Sequence, residues 1–397
     1  MLYESPSNRL PSSQNEEGIA LYIHWPFCLS KCPYCDFNSF VAKNIPQERF
    51  AQALINELRH SAEQQAAVPL NSIYFGGGTP SLMSPSTVEA LIDQATQLFR
   101  PKDSLEITLE ANPTSVEIDR LTTFRKAGVN RVSLGIQSLD PVSLKALGRQ
   151  HSVAQAIDAL TLARKTFPRV SFDLIYAREG QTLSQWEKEL HQALTLVNDH
   201  LSLYQLTIEE GTVFARQYEK GQITLPDESL SADMLVATQT ITNAHGLLNY
   251  EVSNYAQAGA ESKHNLAYWR YQDYIGIGPG AHGRIRFNQQ LYATERIRNP
   301  TTWLKATEKQ GHGLSVMEPL SPADKAREML LMGLRLSEGV NATNFAKRCG
   351  ISLIEAVNEP ILKAAIEEDY LHWDQKILRT TSSGRLRLNT LLEALLN

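Results

Sequence analysis

Cysteine is scarce in this chain, which has 4 cysteines among 397 residues. So few cannot form the disulfide framework of a secreted scaffold, and a reducing cytoplasm is the expected compartment. Long apolar runs are missing from the sequence as well. None approaches the roughly 20 residues needed to cross a bilayer, so no integral membrane segment is predicted. Residues 1–17 are polar, lack the apolar centre of a signal peptide and are predicted to be a flexible N-terminal tail.

Positive charge is not in excess either. The 38 Lys and Arg residues are outnumbered by 43 Asp and Glu residues, and the formal net charge of −5 gives no electrostatic basis for binding nucleic acid. Hydrophobic residues make up 42% and charged residues 20% of the chain, which is ordinary for a globular protein. At this length we expect one large domain or two of medium size.

Short apolar or β-branched runs alternate with amphipathic stretches over the first 250 residues. The predicted strands are 19–25, 72–75, 105–113, 130–137, 169–176 and 200–208. The stretches between them repeat apolar residues three and four apart, as helices do. Six such units predict an α/β fold of parallel strands joined by right-handed crossovers. Because sites in such folds collect on the loops after the strands, we expect CLSKCPYC, GGGTP, EANP, GIQS, DLIYAREGQ and QLTIEEG to share one face.

The pattern changes after about residue 300. Three helices are predicted at 321–336, 341–350 and 353–368. Two strands on either side of TSSG (381–384) and a short helix follow, which together are typical of a winged-helix-like domain. Residues 321–397 hold ten Lys and Arg against ten Asp and Glu, whereas a DNA-binding wing should be basic. A structural or docking role is therefore favoured, and Cys349 is interpreted as a buried apolar residue.

Three of the four cysteines stand together as C-x3-C-x2-C, at Cys28, Cys32 and Cys35. Structural zinc sites use four ligands, and neither a second cysteine pair nor a histidine at finger spacing accompanies these three. A 4Fe–4S cluster is also held by thiolates, ordinarily four. Three thiols on one loop can bind three irons and leave the fourth open, and an open position is where metal chemistry occurs. The alternative, three reduced thiols without a cluster, would be an oxidation liability.

The cysteine motif, Tyr34 within it and GGGTP (76–80) after the second strand resemble the radical S-adenosylmethionine superfamily. The resemblance implies a 4Fe–4S cluster on the three clustered cysteines, with S-adenosylmethionine chelated by the open iron. It implies that one electron from an electron donor cleaves the sulfonium to give a 5′-deoxyadenosyl radical. It also implies a full or partial (β/α) barrel, often of six units, which agrees with the strand pattern. The glycines are expected to let the backbone approach the cofactor closely.

Longer stretches are similar to one branch of that superfamily, which contains oxygen-independent coproporphyrinogen III dehydrogenases and haem chaperones. They are YIHWPFCLSKCPYCDFNSF, FGGGTPSL, LEANP, RVSLGIQS, LGRQH and DLIY, and the likeness extends from about Leu21 to the C-terminus. Carried over motif by motif, the resemblance implies cofactor contacts from Tyr22, Tyr34, Gly77, Gly78, Thr79, Glu110, Gln137, Arg149, Asp173 and Thr207. Arg149 can pair with a methionine carboxylate, and Glu110 or Asp173 can accept hydrogen bonds from ribose hydroxyls or the amino group.

One stretch departs from the branch. Its usual DLIYGLPGQT reads DLIYAREGQT here, so Ala177, Arg178 and Glu179 stand in place of Gly-Leu-Pro. The geometry of the loop after the fifth strand, and the placement of Asp173 before it, therefore do not follow from the resemblance.

Two features separate the chaperones of this branch from the dehydrogenases. The dehydrogenases have a further cysteine two residues after the third, where this chain has Phe37, as the chaperones do. HNLAYW (264–269) resembles the chaperones' H-N-x-x-Y-W haem-binding signature. That resemblance implies His264 as a ligand of haem iron, Tyr268 and Trp269 packed on the macrocycle, and Asn265 orienting the imidazole or capping a propionate. The alternative is that His264 and its aromatic neighbours are a packing cluster between barrel and C-terminal domain.

The interpretation from sequence is an α/β protein with a partial (β/α)6 radical S-adenosylmethionine barrel and a smaller C-terminal winged-helix-like α+β domain. The predicted tail, barrel, connecting region and C-terminal domain are 1–17, 18–250, 251–317 and 318–397. The resemblance implies a cytoplasmic haem chaperone that binds a 4Fe–4S cluster, S-adenosylmethionine and haem and delivers haem to haem-dependent respiratory proteins. The alternatives are a coproporphyrinogen III dehydrogenase, and a radical enzyme on an unrelated substrate with HNLAYW as packing.

Overall fold

The computed structural model describes residues 18–63, 65 and 68–396, and the predicted tail at 1–17 lies outside them. Up to residue 205 strands alternate with helices, as the sequence predicts. The elements are β1 (Ile19–Trp25), β2 (Phe27–Cys28), β3 (Phe40–Val41), α1 (Gln47–Glu63), β4 (Pro69–Gly77), α2 (Pro85–Leu98), β5 (Arg100–Ala111), α3 (Ser115–Ile118), α4 (Leu121–Lys126), β6 (Arg131–Gln137), α5 (Pro141–Ala146), α6 (Val153–Thr166), β7 (Arg169–Tyr176), α7 (Leu183–Leu196) and β8 (His200–Gln205).

The six long strands of this part form the centre of one sheet. They lie in the order β1–β4–β5–β6–β7–β8, and each neighbouring pair is parallel. Strands of a parallel sheet are covered on both faces and are therefore rich in apolar residues. Accordingly, Leu21, Ile23 and Phe75 are fully buried, and α1 packs with Leu54 and Leu58 against the same core. The predicted (β/α)6 core is confirmed.

Residues 213–319 widen the sheet at both edges. Their elements are α8 (Val213–Glu219), α9 (Glu228–Ala244), β9 (Leu248–Asn249), β10 (Asn254–Ala256), α10 (Lys263–Trp269), β11 (Tyr274–Ile277), β12 (His282–Phe287), β13 (Gln290–Arg296), α11 (Pro300–Gln310) and β14 (Leu314–Pro319). Beyond β8, β10 and β9 follow antiparallel. Beyond β1, β11 pairs parallel, and β12, β13 and β14 follow antiparallel. In the described residues the 12 strands have a linear order, so the barrel is partial, as predicted.

The C-terminal domain is a smaller α+β unit. It consists of α12 (Pro322–Gly333), β15 (Val340–Asn341), α13 (Ala342–Cys349), α14 (Glu359–Glu367), β16 (Leu371–Trp373), β17 (Ile377–Thr380), α15 (Ser382–Arg385) and α16 (Leu388–Leu396). Its strands form a separate sheet in the order β15–β17–β16. Its helices enclose a second hydrophobic core that includes Leu330, Phe345 and Leu392. Cys349 lies fully buried in that core, as predicted, with its Sγ 3.8 Å from Met329 Sδ.

The hairpin of this domain turns earlier than the sequence predicts. The prediction at TSSG is wrong, because β16 and β17 are joined at Asp374, whose Oδ1 accepts a hydrogen bond from the Lys376 amide at 2.9 Å. TSSG begins α15 instead, and the Thr381 side chain accepts from the Gly384 amide at 3.0 Å. A Cβ on Gly384 would lie 1.8 Å from the Tyr370 carbonyl oxygen. Aspartate turns and threonine caps use the same residue types, so sequence alone did not separate them.

The connecting region contributes to both hydrophobic cores. Ile277 and Trp303 belong to the core of the large sheet, whereas Tyr271 and Leu291 belong to the C-terminal core. The boundaries at 250 and 317 remain predictions. None of the helices in the described ranges is long and apolar enough to cross a membrane.

Candidate cofactor site and adjoining cavity

The three clustered cysteines lie on the loop after β1, at the carboxyl end of the parallel strands. The Cys35 amide donates to the Cys32 carbonyl at 3.2 Å, which makes this loop a tight turn. Burial raises the pKa of the Cys28 and Cys35 thiols. Two sulfur atoms receive hydrogen bonds: Thr79 Oγ1 lies 3.5 Å from Cys28 Sγ, and Arg149 Nη1 lies 3.2 Å from Cys32 Sγ. The Thr79 hydroxyl opposes the effect of burial on the pKa of Cys28 and so favours its thiolate, the form that binds metal.

The three clustered thiols can be compared with what a metal ion and a 4Fe–4S cluster each require. Among the described residues, no three His, Cys, Asp or Glu side chains are grouped so as to hold one metal ion. A 4Fe–4S cube makes a different demand, because each thiolate binds a separate iron at its own corner. Three thiols on one turn, two of them supported by hydrogen-bond donors, fit three corners of such a cube.

Arg149 connects the cysteine loop with the ends of two strands. Its Nη1 also lies 3.5 Å from the Tyr34 hydroxyl, and its Nη2 donates to Asn112 Oδ1 at 2.5 Å and to the Gly135 carbonyl at 2.7 Å. Asn112 in turn donates to Thr79 Oγ1 at 3.3 Å. Asn112 lies within LEANP but is not among the residues predicted from sequence, because a loop amide carries no chemical signal of its own. Its position between Arg149 and Thr79 makes it part of the site.

Two carboxyl groups lie near each other on β5 and β7. Glu110 accepts a hydrogen bond from the Tyr74 hydroxyl at 2.7 Å, and Asp173 accepts one from Ser133 Oγ at 3.4 Å. Burial raises the pKa of Glu110 to about 7 and that of Asp173 to about 6, although the Arg131 guanidinium opposes both shifts. At neutral pH a cationic ligand would therefore stabilise the ionised form of both groups.

Near these side chains the backbone adopts a left-handed conformation at one non-glycine residue and leaves no room for a Cβ at two glycines. Gln137 ends β6 in the left-handed region with φ of 70°, and its buried Oε1 has no partner among the described residues. Gly77 has φ of 112°, and a Cβ there would lie 2.6 Å from the His24 ring. A Cβ on Gly78 would lie 2.7 Å from the Phe27 carbonyl oxygen. Glycine is thus needed at Gly78 for packing against the cysteine loop itself, apart from any cofactor.

A cavity of about 630 Å³ opens beside the strand ends. Gly77 and Glu110 form the side that it shares with the candidate cofactor residues. Six aromatic side chains contribute to its wall: Tyr22, Phe37, Tyr268, Trp269, Tyr271 and Tyr274. The volume lies within the roughly 300–1,000 Å³ that small-molecule and cofactor sites occupy. The cavity is therefore large enough for a sizeable, largely apolar ligand.

His264 lies behind the wall of this cavity. Its side chain is buried, with Nδ1 3.0 Å from Ser72 Oγ and Nε2 2.9 Å from the Tyr268 hydroxyl. The ring stacks on Tyr74 with centroids 4.7 Å apart. Burial lowers the pKa of His264 to about 3, so the imidazole is neutral. Since both ring nitrogens are engaged, His264 could bind iron only after Tyr268 had turned away, and its role as ligand stays a prediction.

The remaining predicted residues divide into two sets. Tyr268 and Trp269 line the cavity. Asn265 is not part of the cavity lining and its side chain lies near Tyr250, and Thr207 is exposed just beyond the end of β8. The structure therefore brings the aromatic part of HNLAYW to the cavity but leaves Thr207 and Asn265 apart from it.

The loop after β7, where the sequence departs from the related branch, is anchored by a buried ion pair. Ala177 has φ of 55°, a conformation that glycine adopts with less strain. Arg178 Nη2 lies 2.5 Å from Glu189 Oε2, and Arg178 Nη1 donates to the Ile175 carbonyl at 2.8 Å. Glu189 Oε1 also accepts from Ser138 Oγ at 2.6 Å. Arg178 and Glu189 thus fasten this loop to α7 and to the loop after β6.

Comparisons with known proteins agree with this architecture. The sequence pattern of the Radical SAM superfamily matches residues 22–193, and that of the HemN C-terminal domain matches residues 320–387. A solved structure of coproporphyrinogen III oxidase (HemN) from Escherichia coli has a TM-score of 0.79 over 95% of this chain and 89% of that one, at 21% identity. The fold is therefore that of a radical S-adenosylmethionine protein with a HemN-type C-terminal domain.

Curated relatives identify the family within that class. "Radical S-adenosyl methionine domain-containing protein 1, mitochondrial" of Danio rerio is 40% identical over 339 residues, which cover 84% of this chain and 76% of the relative. "Heme chaperone HemW" of Escherichia coli is 38% identical over 381 residues, which cover 95% and 98%. The HemW of Bacillus subtilis is 33% identical over 94% and 98%. The chain belongs to the family of radical S-adenosylmethionine proteins that includes Heme chaperone HemW.

Proposed function

We propose that the protein is a haem chaperone that holds haem in the cavity and delivers it to haem-dependent respiratory proteins. A 4Fe–4S cluster on Cys28, Cys32 and Cys35 and S-adenosylmethionine beside it belong to the same proposal. The observation that carries it is the cavity of about 630 Å³ with its six aromatic side chains, which adjoins the cofactor residues through Gly77 and Glu110. Aromatic walls suit a planar macrocycle. Membership of a family that includes a protein named Heme chaperone supports haem as the cargo.

The residues at the strand ends suit the two cofactors. When bound and reduced by an electron donor, the cluster and S-adenosylmethionine together supply one-electron chemistry. Thr79 and Arg149 donate hydrogen bonds to the cysteine sulfurs. Glu110 and Asp173 would stabilise the positive charges of S-adenosylmethionine, and Gln137 Oε1, which has no partner among the described residues, can accept a hydrogen bond from it. These roles are independent of whether S-adenosylmethionine is cleaved while haem is carried.

The aromatic end of HNLAYW is proposed to contact the cargo. Tyr268 and Trp269 belong to the cavity wall. The Arg335 guanidinium lies 4.6 Å from the centre of the Trp269 ring and holds it in place by a cation–π contact. The indole nitrogen of Trp269 is buried and has no partner within the described ranges. His264 contributes by fixing the Tyr268 hydroxyl.

A coproporphyrinogen III dehydrogenase is the second candidate, and the fold similarity to HemN favours it. Against it stands Phe37, which lines the cavity where the dehydrogenases carry a cysteine. A phenyl ring offers an apolar surface to a macrocycle but supplies neither a thiol nor a proton. We therefore prefer the chaperone.

The deciding experiment measures haem transfer and decarboxylation on one anaerobic preparation. Purified protein with reconstituted cluster is mixed with haem, desalted and then mixed with a haem-free b-type cytochrome. We expect the Soret band of bound haem to survive desalting. After the cytochrome is added, we expect the spectrum to change to that of the haem-loaded cytochrome. A parallel sample receives coproporphyrinogen III, S-adenosylmethionine and a chemical reductant, and we expect no protoporphyrinogen IX.

The controls separate the cofactors from the cargo. Cys32→Ser should abolish the cluster absorbance and leave haem retention unchanged, whereas Trp269→Ala should weaken haem retention and leave four irons per chain, the content of one 4Fe–4S cluster. Robust formation of protoporphyrinogen IX would establish the dehydrogenase instead. Failure of the wild-type protein to retain haem would refute the chaperone.

We propose the cytoplasm as the compartment in a bacterial host, since the cluster thiols must stay reduced. The animal relatives carry the word mitochondrial in their names. Fractionation of cells that produce the tagged chain tests this, and recovery in a periplasmic fraction would contradict it.

A further inference from the structure

The histidines around the cavity differ in whether a ring nitrogen is free. His24 lines the cavity, but its Nδ1 lies 3.0 Å from the Tyr22 hydroxyl and its Nε2 lies 2.9 Å from the Asn38 carbonyl oxygen. His264 has both nitrogens engaged behind the wall. His282 also lines the cavity, and its Nε2 has no hydrogen-bond partner in the part of the chain that the structure describes. His282 can therefore coordinate a metal without any other side chain moving first.

The surroundings of His282 suit a metal ligand. It begins β12 and lies opposite Glu295 of β13, so the two side chains share one face of the sheet. Its Nδ1 lies 3.8 Å from Glu295 Oε1, and its side chain is 54% exposed. Glu295 lies on the Nδ1 side of the ring, so the other nitrogen, Nε2, is the one available to a metal. The exposure lets a ligand in the cavity mouth reach the ring.

Two arginines line the cavity, and they differ in whether a carboxylate pairs with the guanidinium. Arg284 forms a two-pronged ion pair with Glu328, with distances of 2.7 and 2.8 Å. Arg298 is exposed, and no carboxylate among the described residues pairs with its guanidinium. Its backbone is held, because Asn38 Nδ2 donates to the Arg298 carbonyl at 2.9 Å. A guanidinium binds a carboxylate through two parallel hydrogen bonds, so Arg298 suits a carboxylate-bearing ligand.

We propose that His282 ligates the iron of haem in this cavity and that Arg298 binds one of its propionates. His264 is then a positioning residue that holds Tyr268 in the cavity wall. This inference rests on the proposed function, because haem is taken as the cargo. The bond forms when the Nε2 lone pair replaces a water molecule on ferric iron. No electron is transferred in this step.

The test compares iron ligation and haem retention in variants of the full chain. Resonance Raman spectra of the reduced haem complex should show an iron–histidine stretch in wild-type protein and in His191→Ala, a matched control that removes an imidazole elsewhere on the surface. His282→Ala should lose the stretch and release haem to apomyoglobin about tenfold faster or more, the order of effect expected of metal-site changes. Added imidazole should restore a nitrogen ligand to His282→Ala. His282→Gln is the second variant if alanine disturbs β12.

The role of Arg298 is tested by changing the propionates of haem as well as the residue. Arg298→Ala should release haem faster without changing the iron–histidine stretch. Haem dimethyl ester, whose propionates carry no charge, should leave wild-type protein and Arg298→Ala at equal rates. Equal release of unmodified haem by the two proteins would remove Arg298 from the proposal.

The outcomes keep this inference apart from the function on which it rests. A stretch that survives in His282→Ala but disappears in His264→Gln would overturn the assignment and make His264 the ligand, while the chaperone function would stand. Absence of haem retention by wild-type protein would overturn both.

Discussion

Replacing Arg178 by methionine tests whether the buried ion pair holds the loop after β7. Arg178 and Glu189 are 8% and 7% exposed, so the substitution strands a buried carboxylate. Removing one partner of a buried pair costs about 3–5 kcal/mol. Glu189 keeps hydrogen bonds from Ser138 Oγ and from the Leu139 amide, at 2.6 and 2.7 Å. We therefore expect Arg178→Met to lower the free energy of unfolding by about 3 kcal/mol, the lower end of that range.

A matched pair on the surface provides the control. Arg270 Nε lies 2.7 Å from Glu338 Oε1, but the side chains are 43% and 50% exposed. Water screens such pairs, so Arg270→Met should cost no more than about 1 kcal/mol. In the double variant Arg178→Met with Glu189→Gln, the stranded charge is gone and part of the stability should return. The measure is the urea midpoint followed by tryptophan fluorescence, since buried Trp186 stacks on Tyr176 at 5.0 Å beside this loop.

Two results would refute this reasoning. The first is an equal loss of stability in Arg178→Met and Arg270→Met. The second is additivity in the double variant, because groups in direct contact should show a coupling of about 0.5–3 kcal/mol.

Three further predictions concern the site. The pKa of Glu110 rises from its usual 4.5 to about 7 and that of Asp173 from 3.8 to about 6, so each folded carboxyl holds its proton longer than the unfolded one. The unfolding free energy of cofactor-free protein should then fall as pH rises from about 4 to 7, by about 3 kcal/mol for Glu110, and urea titrations of Glu110→Gln should show a flatter profile. Gly78→Ala should lower both iron content and S-adenosylmethionine binding, because its Cβ meets the Phe27 carbonyl beside the cysteine loop; normal iron content would contradict this. Cys349→Ser should retain the full iron content and lose about 1–3 kcal/mol of stability, as expected for a polar group placed in a core, and loss of iron would refute the three-thiol cluster.

The features that the sequence predicted correctly depend on neighbours along the chain. The six strand–helix units follow from short apolar or β-branched runs and from helical repeats of 3.6 residues, which any short window contains. The spacing of Cys28, Cys32 and Cys35 confines three thiols to one turn whatever the rest of the fold does. Burial of Cys349 was predicted because it stands alone, and an isolated cysteine is usually a small buried apolar residue. The misplaced hairpin at TSSG shows the limit, since caps and turns draw on the same residues.

The state of the cavity histidines was decided only by tertiary structure. His264 meets Ser72, 192 residues away, and Glu106, 158 residues away, and these contacts bury it. Neither partner can be inferred from the HNLAYW motif itself. His282 follows a Gly-rich stretch that gave no sign of a free nitrogen, and its exposure depends on where β12 joins the sheet. A histidine can bind a metal only when no hydrogen-bond partner occupies its ring nitrogen. In this fold such partners come from strands that are distant in sequence, and only the folded sheet brings them together.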